Sequence, residues 1–242
     1  MRAAVVSDIH GNLHALEAVL EAIDGDAPDE LWCLGDLVGY GPKPNECCAL
    51  VEERATTCLA GNHDLAVRGT IDLAEFSGDA GAAAAWTRTV LGDDAQRFLD
   101  GLEPRGEAAG VALFHGSARD PVWEYVLSDE AAAVTFALTE EQLVLVGHSH
   151  AALQVSLRDA LLEGGLAAGG TELSLDGARR LLNPGSVGQP RDGDPRAAYL
   201  LLDLEEKRAS FRRVEYDIAR TQAEMREAAL PELLAERLES GQ

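Results

Sequence analysis

The stretch Arg2-Ala-Ala-Val-Val-Ser7-Asp8-Ile9-His10-Gly11-Asn12 decides the fold. Its small and β-branched start reads as a strand buried on both faces, as in a sheet covered by helices. Asp8 and His10 follow two positions apart, a spacing at which extended backbone points both side chains the same way. Gly11 permits a sharp turn, and Asn12 is placed to cap a helix beginning at Leu13. A carboxylate and an imidazole at the mouth of a sheet form half a coordination sphere for a divalent metal. A capped strand-to-helix turn with incidental polar residues has the same sequence, so the rest of the chain must decide.

Four more buried strands end in the same manner. Apolar positions at three- and four-residue intervals make 13–23 a helix, closed by Gly25 and Pro28. A strand over 30–34 runs into Gly35-Asp36-Leu-Val-Gly39-Tyr40-Gly41-Pro42, and a helix over 44–53 leads to a strand over 56–60 and Gly61-Asn62-His63-Asp64. Strands at 110–114 and 142–146 deliver His115-Gly-Ser117 and Gly147-His148-Ser-His150, with a helix over 129–138 between them. Residues 66–105 carry no such motif. Helical patterns at 80–91 and 95–102 mark them as a helical insertion beside the site, acting either as a lid or as a peripheral helical pair. After His150 the pattern changes to strands at 153–157, 180–182, 197–204 and 209–214 joined by short turns, which predicts a second, largely antiparallel sheet. An amphipathic helical tail over 218–238, broken at Pro231, is expected to pack on a sheet.

Five of the six histidines sit in the strand-end loops, a concentration that scattered core or surface histidines would not give. His14, the sixth, reads as a partly exposed helix residue. In an open α/β sheet the carboxyl ends of the strands converge on one crevice, so these loops should meet. Asp8, His10, Asp36, Asn62, His115, His148 and His150 offer seven oxygen and nitrogen ligands. That is more than one tetrahedral or octahedral ion can use, and it suits two divalent ions sharing a carboxylate.

Composition narrows the function classes. The 242 residues carry a formal charge of −22, with 42 acidic against 20 basic side chains. Such a surface repels a phosphate backbone, so stable binding of duplex nucleic acid is not expected, and an anionic substrate needs a local positive site. No apolar run approaches the roughly 18 residues of a membrane span, and the N-terminus has no export segment, which predicts a cytoplasmic protein. Cys33, Cys47, Cys48 and Cys58 have no CxxC spacing and read as buried free thiols.

Taken in order, Asp8-x-His10, Gly35-Asp36-x-x-Gly39, Gly61-Asn62-His63-Asp64, His115 and Gly147-His148-x-His150 resemble the motifs of the calcineurin-like metallophosphoesterase superfamily. Gly39-Tyr-Gly-Pro42 and Asn183-Pro-Gly-Ser-Val-Gly-Gln-Pro-Arg191 resemble its small bacterial and archaeal phosphodiesterase branch. Ala118, where related chains often have proline, is a minor departure. The resemblance implies an α/β fold, a four-layer α/β/β/α sandwich of two mixed sheets, in one domain spanning 1–242. It implies one metal on Asp8, His10, Asp36 and His150 and another on Asp36, Asn62, His115 and His148, with Asp36 as the bridge. Manganese or iron leads the candidate ions, ahead of zinc, nickel and magnesium. The implied activity is hydrolysis of small phosphodiesters by a metal-bridging hydroxide.

His63, which neither metal uses, is then free to protonate the leaving oxygen, with Asp64 orienting it; the alternative is a structural turn histidine. Asn62, Arg119 and Arg191 are candidates to hold the phosphate, although either arginine could equally pair with nearby acids. Tyr40 and Trp123 serve either to stack on a base or to pack a core. Alternatives to the diesterase are a phosphomonoesterase or protein phosphatase, a dinucleoside-polyphosphate hydrolase, a nuclease, and a non-catalytic metal-binding scaffold.

Overall fold

The computed structural model describes residues 1–76 and 78–242. Strand β1 (Arg2–Val6) lies at the centre of a six-stranded sheet. It pairs in parallel with β2 (Glu30–Cys33), which pairs in parallel with β3 (Thr57–Cys58). Helices α1 (Leu13–Asp26) and α2 (Pro44–Arg54) connect them. The alternation along β1 sets the layers. Ala4 and Val6 face Leu16, Val19 and Val51 of the two helices, while Ala3 and Val5 face inward between the sheets. Asn12 accepts a hydrogen bond from the Ala15 N–H at 3.2 Å, the expected cap.

The chain then enters α3 (Asn62–Val67), a single 3-10 turn at Leu73–Glu75, α4 (Gly78–Val90) and α5 (Asp93–Asp100). The second sheet follows, with β4 (Arg105–Ala108), β5 (Val111–Phe114), α6 (Asp129–Leu138) and β6 (Leu143–Leu145). Strands β7 (Ala152–Arg158), β8 (Leu161–Leu166) and β10 (Arg179–Pro184) complete it in the order β4-β5-β6-β10-β7-β8. Helix α6 covers its outer face through Phe136, against Val144, Val146 and Leu181. Between the two sheets lie Trp32, Leu113, Leu145, Leu182, Leu200 and Phe211, fully or almost fully buried. The result is a helix-sheet-sheet-helix sandwich of two mixed sheets, as expected.

The division of strands differs from the sequence reading. The late strands do not form a separate antiparallel sheet. β11 (Ala197–Asp203) lies antiparallel against β1, with Val5 opposite Leu200, and brings β12 (Arg208–Val214) and β9 (Glu172–Ser174) into the first sheet. β10 pairs in parallel with β6 instead. The motif-bearing strands are thus split three and two between facing sheets, and their loops meet across the gap. Hydrophobic period cannot show which sheet a buried strand joins. β4, β8, β9 and α3 also escaped the sequence reading, because they are short or, like Leu161-Leu-Glu-Gly-Gly-Leu166, weakened by glycine.

The tail forms α7 (Ile218–Glu227) and α8 (Glu232–Ser240), broken at Pro231 as expected. It packs on helices and on the Tyr40 loop rather than on a sheet. Met225, Leu230, Leu234 and Leu238 cluster with Ala83 of α4 and with Tyr40. Cys33, Cys47 and Cys48 are buried, Cys58 partly so, and all four are free thiols. No helix among the described residues is long and apolar enough to cross a membrane.

Candidate metal centre

Asp8, His10, Asp36, His115, His148 and His150 converge at the carboxyl ends of β1, β2, β5 and β6, each at most 3% exposed. Two groups form, within each of which one ligand atom per residue lies within 4.8 Å of the others: Asp8, His10, Asp36 and His150, and Asp36, His115 and His148. Asp36 belongs to both. Its Oδ2 lies 3.5 Å from His10 Nε2 and 3.5 Å from His115 Nε2.

Hydrogen bonding fixes what these atoms can do. His10 Nδ1 donates to the Val38 carbonyl at 3.0 Å, His115 Nδ1 to Leu34 at 2.9 Å, and His150 Nδ1 to Gln189 at 2.7 Å. His148 donates from Nε2 to the Trp123 carbonyl at 3.2 Å. A carbonyl only accepts, so in each neutral ring the proton is committed and the other nitrogen presents a bare lone pair. Burial pushes all four imidazoles down, His115 and His148 to about 3, which keeps them neutral. His10 Nε2 and His150 Nε2 then face each other at 3.0 Å with no proton between them, and Asn62 Oδ1 faces His115 Nε2 at 3.2 Å. Asp8 Oδ1 and Asp36 Oδ2 are buried without a hydrogen-bond partner among the described residues. Acceptors converging on acceptors are unfavourable unless a cation lies among them. The donor set of carboxylate, imidazole and amide oxygen fits divalent ions.

Residues 1–207 match the family model for the calcineurin-like phosphoesterase superfamily domain. The chain belongs to this superfamily. It is 42% identical to a metallophosphoesterase from Sphaerobacter thermophilus, whose crystal structure it matches with a TM-score of 0.91 over 100% of this chain and 99% of that one. An uncharacterized protein of Methanocaldococcus jannaschii is 38% identical over 97% of this chain and 96% of its own length. A symmetrical bis(5′-nucleosyl)-tetraphosphatase of Actinobacillus pleuropneumoniae is 41% identical over 75 residues, 29% of this chain and 27% of that protein. The phosphoesterase is accordingly a metal-dependent phosphoester hydrolase.

The backbone of this phosphoesterase achieves the convergence in a way the sequence did not predict. Asp8, His10, Asp36, His148 and His150 all hold φ between +50° and +63°, the left-handed region. Asp8 and His10 therefore do not converge because extended backbone points them alike; each sits in a left-handed turn, a conformation that Asp and His adopt more readily than most residues.

Around the phosphoesterase centre the remaining candidates separate. Burial, then the nearby Arg191 and His148, hold His63 at about 3. Its Nδ1 is buried against Gly39 with no hydrogen-bond partner among the described residues, and its ring centroid lies 4.9 Å from that of His10. Asp64 does not contact it as expected. The Asp64 carboxylate accepts from the backbone N–H groups of Leu37, Val38 and Gly61 at 2.9–3.1 Å, tying the Asp36 loop to the Asn62 loop. Burial raises this carboxyl to about 6 against those bonds.

Arg119 pairs with Glu124 and Glu130 at the surface and does not line the cavity. Arg191 does line it, donating to Tyr40 Oη at 3.2 Å and Gln189 Oε1 at 2.9 Å. Tyr40 is buried against His10 and His63, and Trp123 stands at the mouth. His14 is partly exposed and pairs with Glu224 at 3.0 Å. Glu75, Phe76 and Tyr125 also line the cavity, and sequence reasoning missed all three. None sits in a strand-end motif, and only their place in the fold identifies them.

Proposed function

We propose that the chain hydrolyses small phosphodiesters with two divalent ions, one held by Asp8, His10, Asp36 and His150 and the other by Asp36, Asn62, His115 and His148. The observation that carries this reading is the ring of proton-free acceptors around Asp36 Oδ2. When bound, the ions supply Lewis-acid charge and lower the pKa of a coordinated water. Manganese or iron is the expected pair, with zinc, nickel and magnesium to be tested beside them.

The side chains supply the rest. Arg191, whose Nε is buried without a partner among the described residues, binds a non-bridging phosphoryl oxygen. Asn62 positions the phosphate through its amide. His63 protonates the leaving oxygen from Nε2 as the phosphorus–oxygen bond breaks, while a water-derived oxygen forms the new bond to phosphorus from the opposite face. In the resting site His63 is neutral, so it must gain its proton with the substrate's negative charge in place. The 75-residue similarity to a tetraphosphatase supports a second reading, hydrolysis of dinucleoside polyphosphates.

The test is reconstitution of chelator-treated protein with each ion in turn, followed by elemental analysis and turnover of an aryl phosphodiester beside phosphomonoesters and dinucleoside polyphosphates. Two ions per chain and preferred turnover of the diester are expected. One ion per chain, or no turnover anywhere in the panel, overturns the proposal.

A further inference from the structure

The geometry points to the rim of the cavity as a seat for a nucleobase, which makes the preferred substrate a nucleotide diester carrying a single charged phosphate. This inference rests on the diesterase reading above. The cavity measures about 190 Å³, and the candidate ligands Asp36, Asn62, His148 and His150 line it. Ligand pockets that enclose a drug-sized molecule run to about 300 Å³ or more, so this one takes a phosphoryl group and little else. Any larger ester group must lie on the rim.

The rim is aromatic. The chain has only three Trp, four Tyr and five Phe, and Tyr40, Phe76, Trp123 and Tyr125 all line this one cavity. Phe76 reaches from the expected insertion to set its ring edge-on to His63 at 4.8 Å, and Trp123 lies 5.2 Å from Phe76. Tyr125 stacks face to face on His148 at 4.1 Å. Trp123 and Tyr125 remain 36% and 46% exposed although both are large and apolar. Exposed ring faces beside a phosphate site are what a planar base stacks on, whatever its identity. Phe76 and Trp123 lie on the His63 side, so the base belongs to the group whose oxygen His63 serves.

Charge at the rim excludes longer phosphate chains. Arg191 is the one cationic side chain among the described residues lining the cavity, and Glu75 supplies a carboxylate. Arg237, lowered by burial and then by the charge of Arg191, does not line the cavity and donates to the Gln242 carbonyl at 2.7 Å. A second or third phosphate would meet Glu75 and a chain of net charge −22 without a cation of its own.

The test compares a dinucleoside monophosphate with bis-glycerol phosphate, two alkyl diesters of equal charge that differ in carrying bases. The wild-type kcat/KM ratio should favour the dinucleotide by about 10-fold or more, within the range that stacking a base on an aromatic side chain contributes. Trp123→Ala and Phe76→Ala should each move that ratio toward one through KM, and Trp123→Phe should keep most of it. Binding without turnover gives a second readout: a nucleoside monophosphate should quench tryptophan fluorescence in the wild type but not in Trp123→Phe. A ratio near one in the wild type, or variants that lose both substrates equally, overturns the inference while leaving the diesterase reading intact. Failure to hydrolyse these diesters and an aryl phosphodiester sinks the diesterase reading itself. A dinucleoside tetraphosphate turned over with a higher kcat/KM than the monophosphate overturns the charge argument.

Discussion

The metal centre at the floor of the cavity draws Asp8, His10, Asp36, His115, His148 and His150 from strand-end loops of two sheets and buries each to 3% exposure or less, with Asp36, His148 and His150 of these lining the cavity itself. The rim draws Glu75, Phe76, Trp123 and Tyr125 from two connecting segments and leaves all of them but Phe76 exposed. On the floor, every side chain has a backbone partner that fixes its orientation, and the unpaired atoms all face inward. On the rim, rings touch rings and no such tether is needed. The contrast separates two jobs. The floor must hold charge in one arrangement, whereas the rim need only offer area to a partner.

The largest expected effect is on the floor. Asp36→Asn should lose both ions and nearly all activity, well beyond the about 10–100-fold cost of losing an outer-shell partner of a metal ligand. Elemental analysis finding two ions retained would make Asp36 an ordinary buried acid. The same substitution should have the opposite sign in metal-free protein. Burial and the neighbouring Asp64 and Asp8 raise the Asp36 carboxyl well above its usual range, so ionising it destabilises the fold. Asn removes that penalty. Metal-free Asp36→Asn should melt higher than metal-free wild type at pH 8, and the gap should close as pH falls into the ordinary carboxylate range.

His63 tests whether the boundary between floor and catalysis is drawn correctly. His63→Asn should keep both ions and lose about 10²- to 10⁴-fold in kcat, less for a nitrophenolate leaving group than for an alkoxide. Gly39→Ala sharpens this result without replacing His63. Gly39 has φ +86°, and an added Cβ would overlap His63 Nδ1, so the variant should reproduce the kinetic loss with its ions in place. Loss of metal from either variant would put His63 on the floor.

Smaller effects lie outward. Arg191→Ala should raise KM about 10- to 100-fold, the worth of a hydrogen bond to a charged group, with less change in kcat. Arg119→Ala should leave activity within about 2-fold and the melting temperature nearly unchanged, because its pairs with Glu124 and Glu130 are at the surface. A large loss of activity at Arg119 would extend the site well past the present rim.

The same boundary divides what could be read from the sequence. The strand-end motifs announced the floor because metal chemistry demands particular residue types, and buried parallel strands have a recognisable pattern. Tyr40 was noticed there only because it lies inside such a motif. Phe76 and Tyr125 carry no chemical signature in sequence, since an aromatic residue near a turn is as often core as rim. Asp64 was misread for a related reason. Its neighbour in sequence is His63, but its partners in space are backbone amides of the Asp36 loop. Likewise nothing in the apolar run of β11 says that it pairs with β1.

The left-handed turns at Asp8, His10, Asp36, His148 and His150 set the backbone against the chemistry. Glycine adopts such angles freely, while other residues bear about 1–3 kcal/mol of strain for each. These five positions are thus ones where glycine would suit the chain better and a ligand side chain is nevertheless present. His148→Gly should give a metal-poor chain in which relief of the backbone strain is opposed by the lost bond to the Trp123 carbonyl and the lost stack on Tyr125.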